Sequence, residues 1–340
     1  MHHRITRSSI IAVVGAGALT LAACGGESTD TSSSTGGEAA GETITLTLGH
    51  AGSDTDPRQS GSEQFKELVE SGTDGRVTVE VHGNSTLGTW EEMVEGLQMG
   101  TTDVVIESLL SLEAYSDLAS VETAPFLYDS EDQFFEVWDG DLGEEIKSTI
   151  TEESGYAILG NMYRGPRQLT TSDAVTSLED LQGMTIRTPS AETMVQTWQA
   201  LGARAEALPW SEVYSALDQG VIDGQENPLD VIVFNDIYEV TPEITLSAHM
   251  YANYHFLMWD DALSGMSEED QQVIRDAAQT VGEDYTSNTL DQQEEYVTQL
   301  EEQGATFHEL SDREAWIEAT EPVVQSLPEQ VQTWIDEIRG

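Results

Sequence analysis

Apolar and polar residues alternate over residues 43–50 (TITLTLGH), the period of a half-buried strand. The next stretch, 56–77, switches to helical spacing, with Phe65, Leu68 and Val69 on one face and a glycine-containing stop. Alternation returns over 77–83 (VTVEVHG). Residues 89–103 predict a helix with Met93, Leu97 and Met99 on or near one face and Gly100 at its end. Residues 104–108 (VVIES) are a short apolar strand. The order strand, helix, strand, helix, strand predicts an α/β sheet.

A second run of α/β units follows. Acidic amphipathic helices are expected over about 130–152, a strand at 156–163, and a helical turn at 177–183 leading into MTIRTP. Helices at 191–202 and 210–220 stop at Gly202 and Gly220, and VIDGQENP follows. The stretches 244–250 and 252–259 read as two further strands returning toward the first sheet. The longest helical pattern covers 267–304, with Ser267 as N-cap, acids in the first turn and Gly304 as stop. At ~1.5 Å per residue it spans ~50 Å, enough to brace two lobes. Gly282 and the polar stretch 286–289 are candidate kinks, and two shorter helices are the alternative.

Beyond the N-terminus no apolar run reaches the 18 or so residues of a membrane span. Residues 1–23 have the parts of a secretory signal: the basic MHHRITR, then an apolar run of small residues. The end of that run, LAAC, resembles a bacterial lipobox, in which Cys24 becomes the lipidated first residue of the mature protein. A core cysteine behind an ordinary signal is the blander reading. Residues 25–42 are rich in Gly, Ser, Thr and acids, so 24–42 is expected to be a lipidated cysteine and disordered tether. This places the protein outside the cell, anchored to the outer face of its membrane. With one cysteine in 340 residues, no intramolecular disulfide is available.

Charge narrows the partners. Loss of Arg4 and Arg7 with the signal leaves 11 of the 13 bases against 63 acids, a net charge of −52. The acids are spread along the chain, as in a solvated surface suited to high salt, where screening shortens repulsion to a few ångströms. No basic face exists to neutralise phosphates, which excludes nucleic acid as a partner.

The chain lacks GxSxG, HExxH, phosphate-loop and GxGxxG motifs, and its seven histidines have no metal-ligand spacing. No catalytic residue, cofactor or metal ion is expected. His249 and His255 read as packing residues on adjacent strands. The arginines carry more information because they are few. Arg164 and Arg167 lie in YRGPRQLTT, and Arg187 lies between Ile186 and Thr188 in a short buried strand. A buried guanidinium needs an anion, and its planar fork matches a carboxylate. For Arg187 an internal ion pair and a ligand clamp both remain open on these grounds.

Residues 160–233 resemble the solute receptors of TRAP transporters, the DctP family, through GPRQLTT, LEDLQGMTIRTP, SEVYSAL and VIDGQENP, with IYEV just beyond at 237–240. Upstream, FKELVESGTDGRVTVEVHGNSTLGTWEEMVEGLQMGTTD extends the resemblance, which covers most of 43–310. It implies a two-lobed, periplasmic-binding-protein-like (type II-like) α/β fold with a long helix bracing both lobes. Residues 43–164 plus about 253–292 would form lobe I, and 165–252 plus about 293–340 lobe II. It further implies a receptor that binds a small organic acid anion, of C4-dicarboxylate or sugar-acid type, in the interlobe cleft and delivers it to a TRAP-type membrane permease. Carried over position by position, Arg187 is the carboxylate clamp, Arg167 a second arginine contact and Asn227 a hydrogen-bonding partner. Trp210 is an apolar wall, Glu107 a contact for substrate hydroxyls, and His50 a contact near the first strand end. Tyr214 and Glu226 would support these groups. An ABC-type receptor and an exported hydrolase of acidic sugars are the alternatives.

Overall fold

The computed structural model describes residues 43–340. The signal segment 1–23, Cys24 and the tether 24–42 lie outside the described residues. In chain order the first elements are β1 (Ile44–Gly49), α1 (Pro57–Gly72), β2 (Val77–His82), α2 (Trp90–Met99), β3 (Val104–Glu107), α3 (Glu131–Trp138), α4 (Asp141–Ser154) and β4 (Tyr156–Pro166). Then come β5 (Gln168–Thr171), β6 (Thr185–Thr188), α5 (Glu192–Ala200), β7 (Arg204–Ala207), α6 (Trp210–Asp218), β8 (Gly224–Asn227), α7 (Leu229–Phe234) and β9 (Glu243–Leu246). The chain closes with β10 (Tyr251–Trp259), α8 (Asp260–Ser264), α9 (Glu268–Glu302), β11 (Thr306–Glu309), α10 (Arg313–Ser326) and α11 (Glu329–Arg339).

These strands form two sheets, ordered β2-β1-β3-β10-β4 and β11-β9-β5-β8-β6-β7. The first is parallel through β2, β1 and β3 and antiparallel where β10 enters. Each sheet builds one lobe. Local chemistry explains the segmentation. Thr89 and Glu92 form a reciprocal capping box at the start of α2, and Gly100 ends it in the left-handed conformation. Phe65, Val69, Leu97 and Met93 are buried as the periodicity requires, whereas Met99 points to solvent.

α9 runs unbroken for 35 residues, about 50 Å. Its first half, from Ile274 to Tyr285, packs in the core of the first sheet with Phe65, Ile106 and Phe256. Its second half brings Tyr296 and Leu300 into the core of the second sheet with Val213 and Ile232. Gly282 is no kink. A Cβ there would stand 2.6 Å from the backbone oxygen of Asn161, so the glycine lets the helix lie directly on β4.

Two expected placements change. Only β10 returns to the first sheet; β9 pairs with β5 and β11 in the second. The break comes at Ala248, which takes a left-handed φ of 40° between the two strands. His249 and His255 therefore lie along one chain segment, His249 just before β10 and His255 within it. The C-terminal helix α11, expected in lobe II, packs on the lobe I core. Its Val331, Trp334, Ile335 and Ile338 sit with Trp138 and Ile146, because α11 is amphipathic and that apolar surface is the one it covers.

Candidate functional site

Parallel strands β6 and β8 end at the seam between the sheets, where open α/β sheets present ligands to their carboxyl edges. A pocket with about 540 Å³ of empty space, part of it open solvent, occupies the seam. Its lining draws on both lobes: Arg58, Glu107, Ser108, Arg164 and Tyr254 from one, Arg187, Trp210 and Asn227 from the other, with Arg167 at the crossover.

On the lobe II side, Arg187 stands on β6 opposite Gln225 of β8. The Gln225 amide oxygen accepts from the Asn227 side chain at 2.7 Å, which holds Asn227 on the same strand face. Arg187 is 4% exposed, and its Nε and Nη2 donate to the Leu208 carbonyl at 3.0 and 2.7 Å. It makes no ion pair among the described residues. Burial lowers its pKa to about 10; Glu226 works against the shift and Arg167 adds to it. Trp210, the first residue of α6, lies with its ring 5.5 Å from the guanidinium.

Arg167 occupies the single-residue gap between β4 and β5, where the chain crosses from one sheet to the other. It forms a bidentate pair with Glu226 of β8 and donates Nη2 to the Glu226 carbonyl at 2.9 Å. Burial alone would raise the Glu226 carboxyl, but Arg167, with His249 Nε2 at 3.2 Å, carries it down to about 2.

On the lobe I side, Arg58 in the first turn of α1 forms a bidentate pair with Asp56, through Nε at 2.9 Å and Nη2 at 2.7 Å. Its guanidinium lies 4.6 Å from the Tyr254 ring centre, and that of Arg164 3.8 Å from the same ring. Arg164 is 3% exposed, makes no ion pair among the described residues, and its Nε has no hydrogen-bond partner. Glu107 ends β3 with one carboxylate oxygen accepting from the Ser108 N–H at 3.0 Å. Burial holds its carboxyl above the usual range, with Arg58 opposing.

Of the sequence candidates, the pocket brings together Arg187, Arg167, Asn227, Trp210 and Glu107. His50 is not among them. Its ring turns into the fold beside α1, where Nε2 meets Gln59 Oε1 at 3.1 Å; burial lowers its pKa to about 4. Its neighbour Ala51, two residues past the end of β1, lines the pocket instead. Tyr214 supports nothing here: it lies on the outer face of α6 and donates to Glu239. Glu226 does support Arg167 as expected. Not assigned a place were Arg58, Ser108 and Tyr254, and Arg164 was noted without a contact role. The signal for the two arginines was available: only nine arginines follow Cys24, and four of them line this one pocket. Among the described residues no grouping of His, Asp or Glu has metal-binding geometry.

The profile of the family described as DctP, bacterial extracellular solute-binding protein, family 7, matches residues 48–330. A solute-binding protein of Roseobacter denitrificans, RD1_1052, is 32% identical over 295 residues, covering 87% of this chain and 90% of the relative. Its crystal structure as a TRAP periplasmic solute-binding protein with bound L-galactonate superposes with a TM-score of 0.82, covering 88% of this chain and 99% of that one. A TRAP periplasmic solute-binding protein from Citrobacter koseri with bound D-glucuronate is 27% identical, with a TM-score of 0.83 and coverage of 87% and 99%.

Proposed function

The chain belongs to the DctP family of bacterial extracellular solute-binding proteins, and on that premise we propose that it is a TRAP-type receptor for a sugar acid. The observation that carries the reading is Arg187: a buried guanidinium, fixed by the Leu208 carbonyl, with no ion pair among the described residues, on the wall of an interlobe pocket. A buried cation left unpaired is costly, and a ligand carboxylate removes that cost. The sugar-acid class rests on the galactonate and glucuronate named with the two relatives, and on the pocket's mixture of donors and an acceptor. Arg167, through the nitrogen that Glu226 does not use, and Asn227 hydrogen-bond the ligand. Trp210 covers its apolar face, and Glu107 accepts from hydroxyls.

The family acts outside the cytoplasm, and its members are binding proteins rather than enzymes. The partner of the loaded receptor is a TRAP-type membrane permease. Cys24 carries a lipid anchor that keeps the soluble body at the outer face of the membrane, a reading supported by the LAAC pattern and the polar stretch behind it. A thermal-stabilisation screen over aldonates, uronates, C4-dicarboxylates and 2-oxo acids tests the function. Stabilisation by sugar acids is expected, and stabilisation by no acid in the panel would refute the receptor reading.

A further inference from the structure

Each lobe brings two arginines to the pocket, one neutralised within the protein and one not. In lobe I Arg58 is neutralised by Asp56, and in the seam Arg167 by Glu226, both through two nitrogens. Arg164 of lobe I and Arg187 of lobe II reach the same pocket buried, with no ion pair among the described residues. Their circumstances differ in one respect. Arg187 is half satisfied by the Leu208 carbonyl. Arg164 makes no direct ion pair and its Nε has no hydrogen-bond partner among the described residues; the Tyr254 ring at 3.8 Å and, at longer range, the Asp230 carboxylate keep it charged against the cost of burial.

A buried guanidinium without a direct ion pair is a place where an anion can dock, and a single carboxylate on Arg187 leaves Arg164 without one. We propose that the ligand is a polyhydroxy dicarboxylate, a hexarate-type diacid, held by one carboxylate on Arg187 and by the other on Arg164. This rests on the sugar-acid reading and narrows it. The acids named with the relatives, galactonate and glucuronate, each carry one carboxylate. Besides Asp56, which pairs with Arg58, the buried carboxyls of Glu107, Glu122 and Asp230 act on Arg164, and none comes within ion-pair distance of it. Each already accepts a backbone N–H, Glu107 from Ser108 at 3.0 Å, Glu122 from Leu110 at 3.0 Å and Asp230 from Val231 at 2.7 Å. Burial raises all three carboxyls while Arg164 pulls them down, an attraction across space that leaves the guanidinium without a direct partner. The unengaged oxygen of Glu107 and the Ser108 hydroxyl, which is buried without a partner, are left for ligand hydroxyls.

Titration calorimetry in high salt near neutral pH, with galactarate against galactonate and glucuronate, is the test. Galactarate is expected to bind about 30-fold or more tightly than galactonate, the effect of one extra desolvated charge pair. Arg164→Gln is expected to shrink that ratio to within about threefold, and Arg164→Lys to restore part of it. A wild-type protein that binds galactonate or glucuronate as tightly as galactarate overturns the proposal. So does an Arg164→Gln protein that keeps the preference. The wild-type ratio needs no variant, so a misfolded variant does not shelter the idea. If neither monoacid nor diacid binds, the receptor reading itself falls.

Discussion

Replacing Arg187 by methionine separates binding from folding. The guanidinium is brought down by burial to about 10, still charged at neutral pH, and the shift corresponds to about 3 kcal/mol against the charged form. Methionine keeps most of the side-chain volume and removes that penalty. It also leaves the Leu208 carbonyl without its two donors, a loss of about 1–3 kcal/mol. The two terms nearly cancel, so the urea midpoint of the ligand-free protein should stay where it is or rise slightly. Affinity should behave differently. A bound carboxylate facing a thioether in place of the guanidinium would be desolvated and unpaired, at about 2–5 kcal/mol. That is a loss of about 30-fold to several thousand-fold in Kd, read by calorimetry with the best acid from the screen. Two results would refute the reasoning: an affinity within about threefold of wild type, or a drop in ligand-free stability as large as the drop in binding energy. The second outcome would make Arg187 a strut and return the site to Arg164 and Arg167.

Glu226→Gln should destabilise the protein by about 3–5 kcal/mol at neutral pH, since it leaves Arg167 buried and unpaired. The folded carboxyl sits at about 2 against an ordinary 4.5, so its contribution is fully present above about pH 4.5 and is lost as pH falls toward 2. The gap between wild type and variant should therefore close in acid, and urea midpoints that stay equally far apart at every pH would argue against the pair. Gly282→Ala drives a Cβ to 2.6 Å from the Asn161 oxygen, and a loss of about 1–3 kcal/mol is expected by thermal melts; an unchanged melting point would mean that α9 and β4 do not touch as described. Cys24→Ser should move the protein from the membrane fraction to the soluble one, and retention on membranes after a high-salt wash would count against a lipid anchor.

Periodicity made the element list legible. The strands at 77–82 and 104–107 and the long helix at 268–302 carry patterns that local physics alone dictates. Sheet membership was not legible, because a short alternating stretch such as 243–246 says that a strand is there without saying which strands it pairs with. The same limit applies to α11, whose apolar stripe fits any apolar surface and whose partner is chosen by three-dimensional proximity. Within the site, Arg187 was visible because a charge interrupts a strand pattern. Arg58 was passed over, because in the first turn of a surface helix it reads as an ordinary cation, although the scarcity of arginines marked it. His50 lies just past the end of β1, where the strand pattern no longer says which way a side chain points.

α9 also bears on how the molecule comes apart. Its two halves belong to different hydrophobic cores, yet they share one unbroken ladder of backbone hydrogen bonds. Neither core can melt without fraying the helix that the other core needs. Lobe I and lobe II should consequently lose structure in a single cooperative transition, with Trp138 in the one and Trp198 in the other reporting the same midpoint. A ligand gripping only the seam then protects the whole body, and a probe placed far from the pocket registers its arrival as faithfully as one beside Arg187.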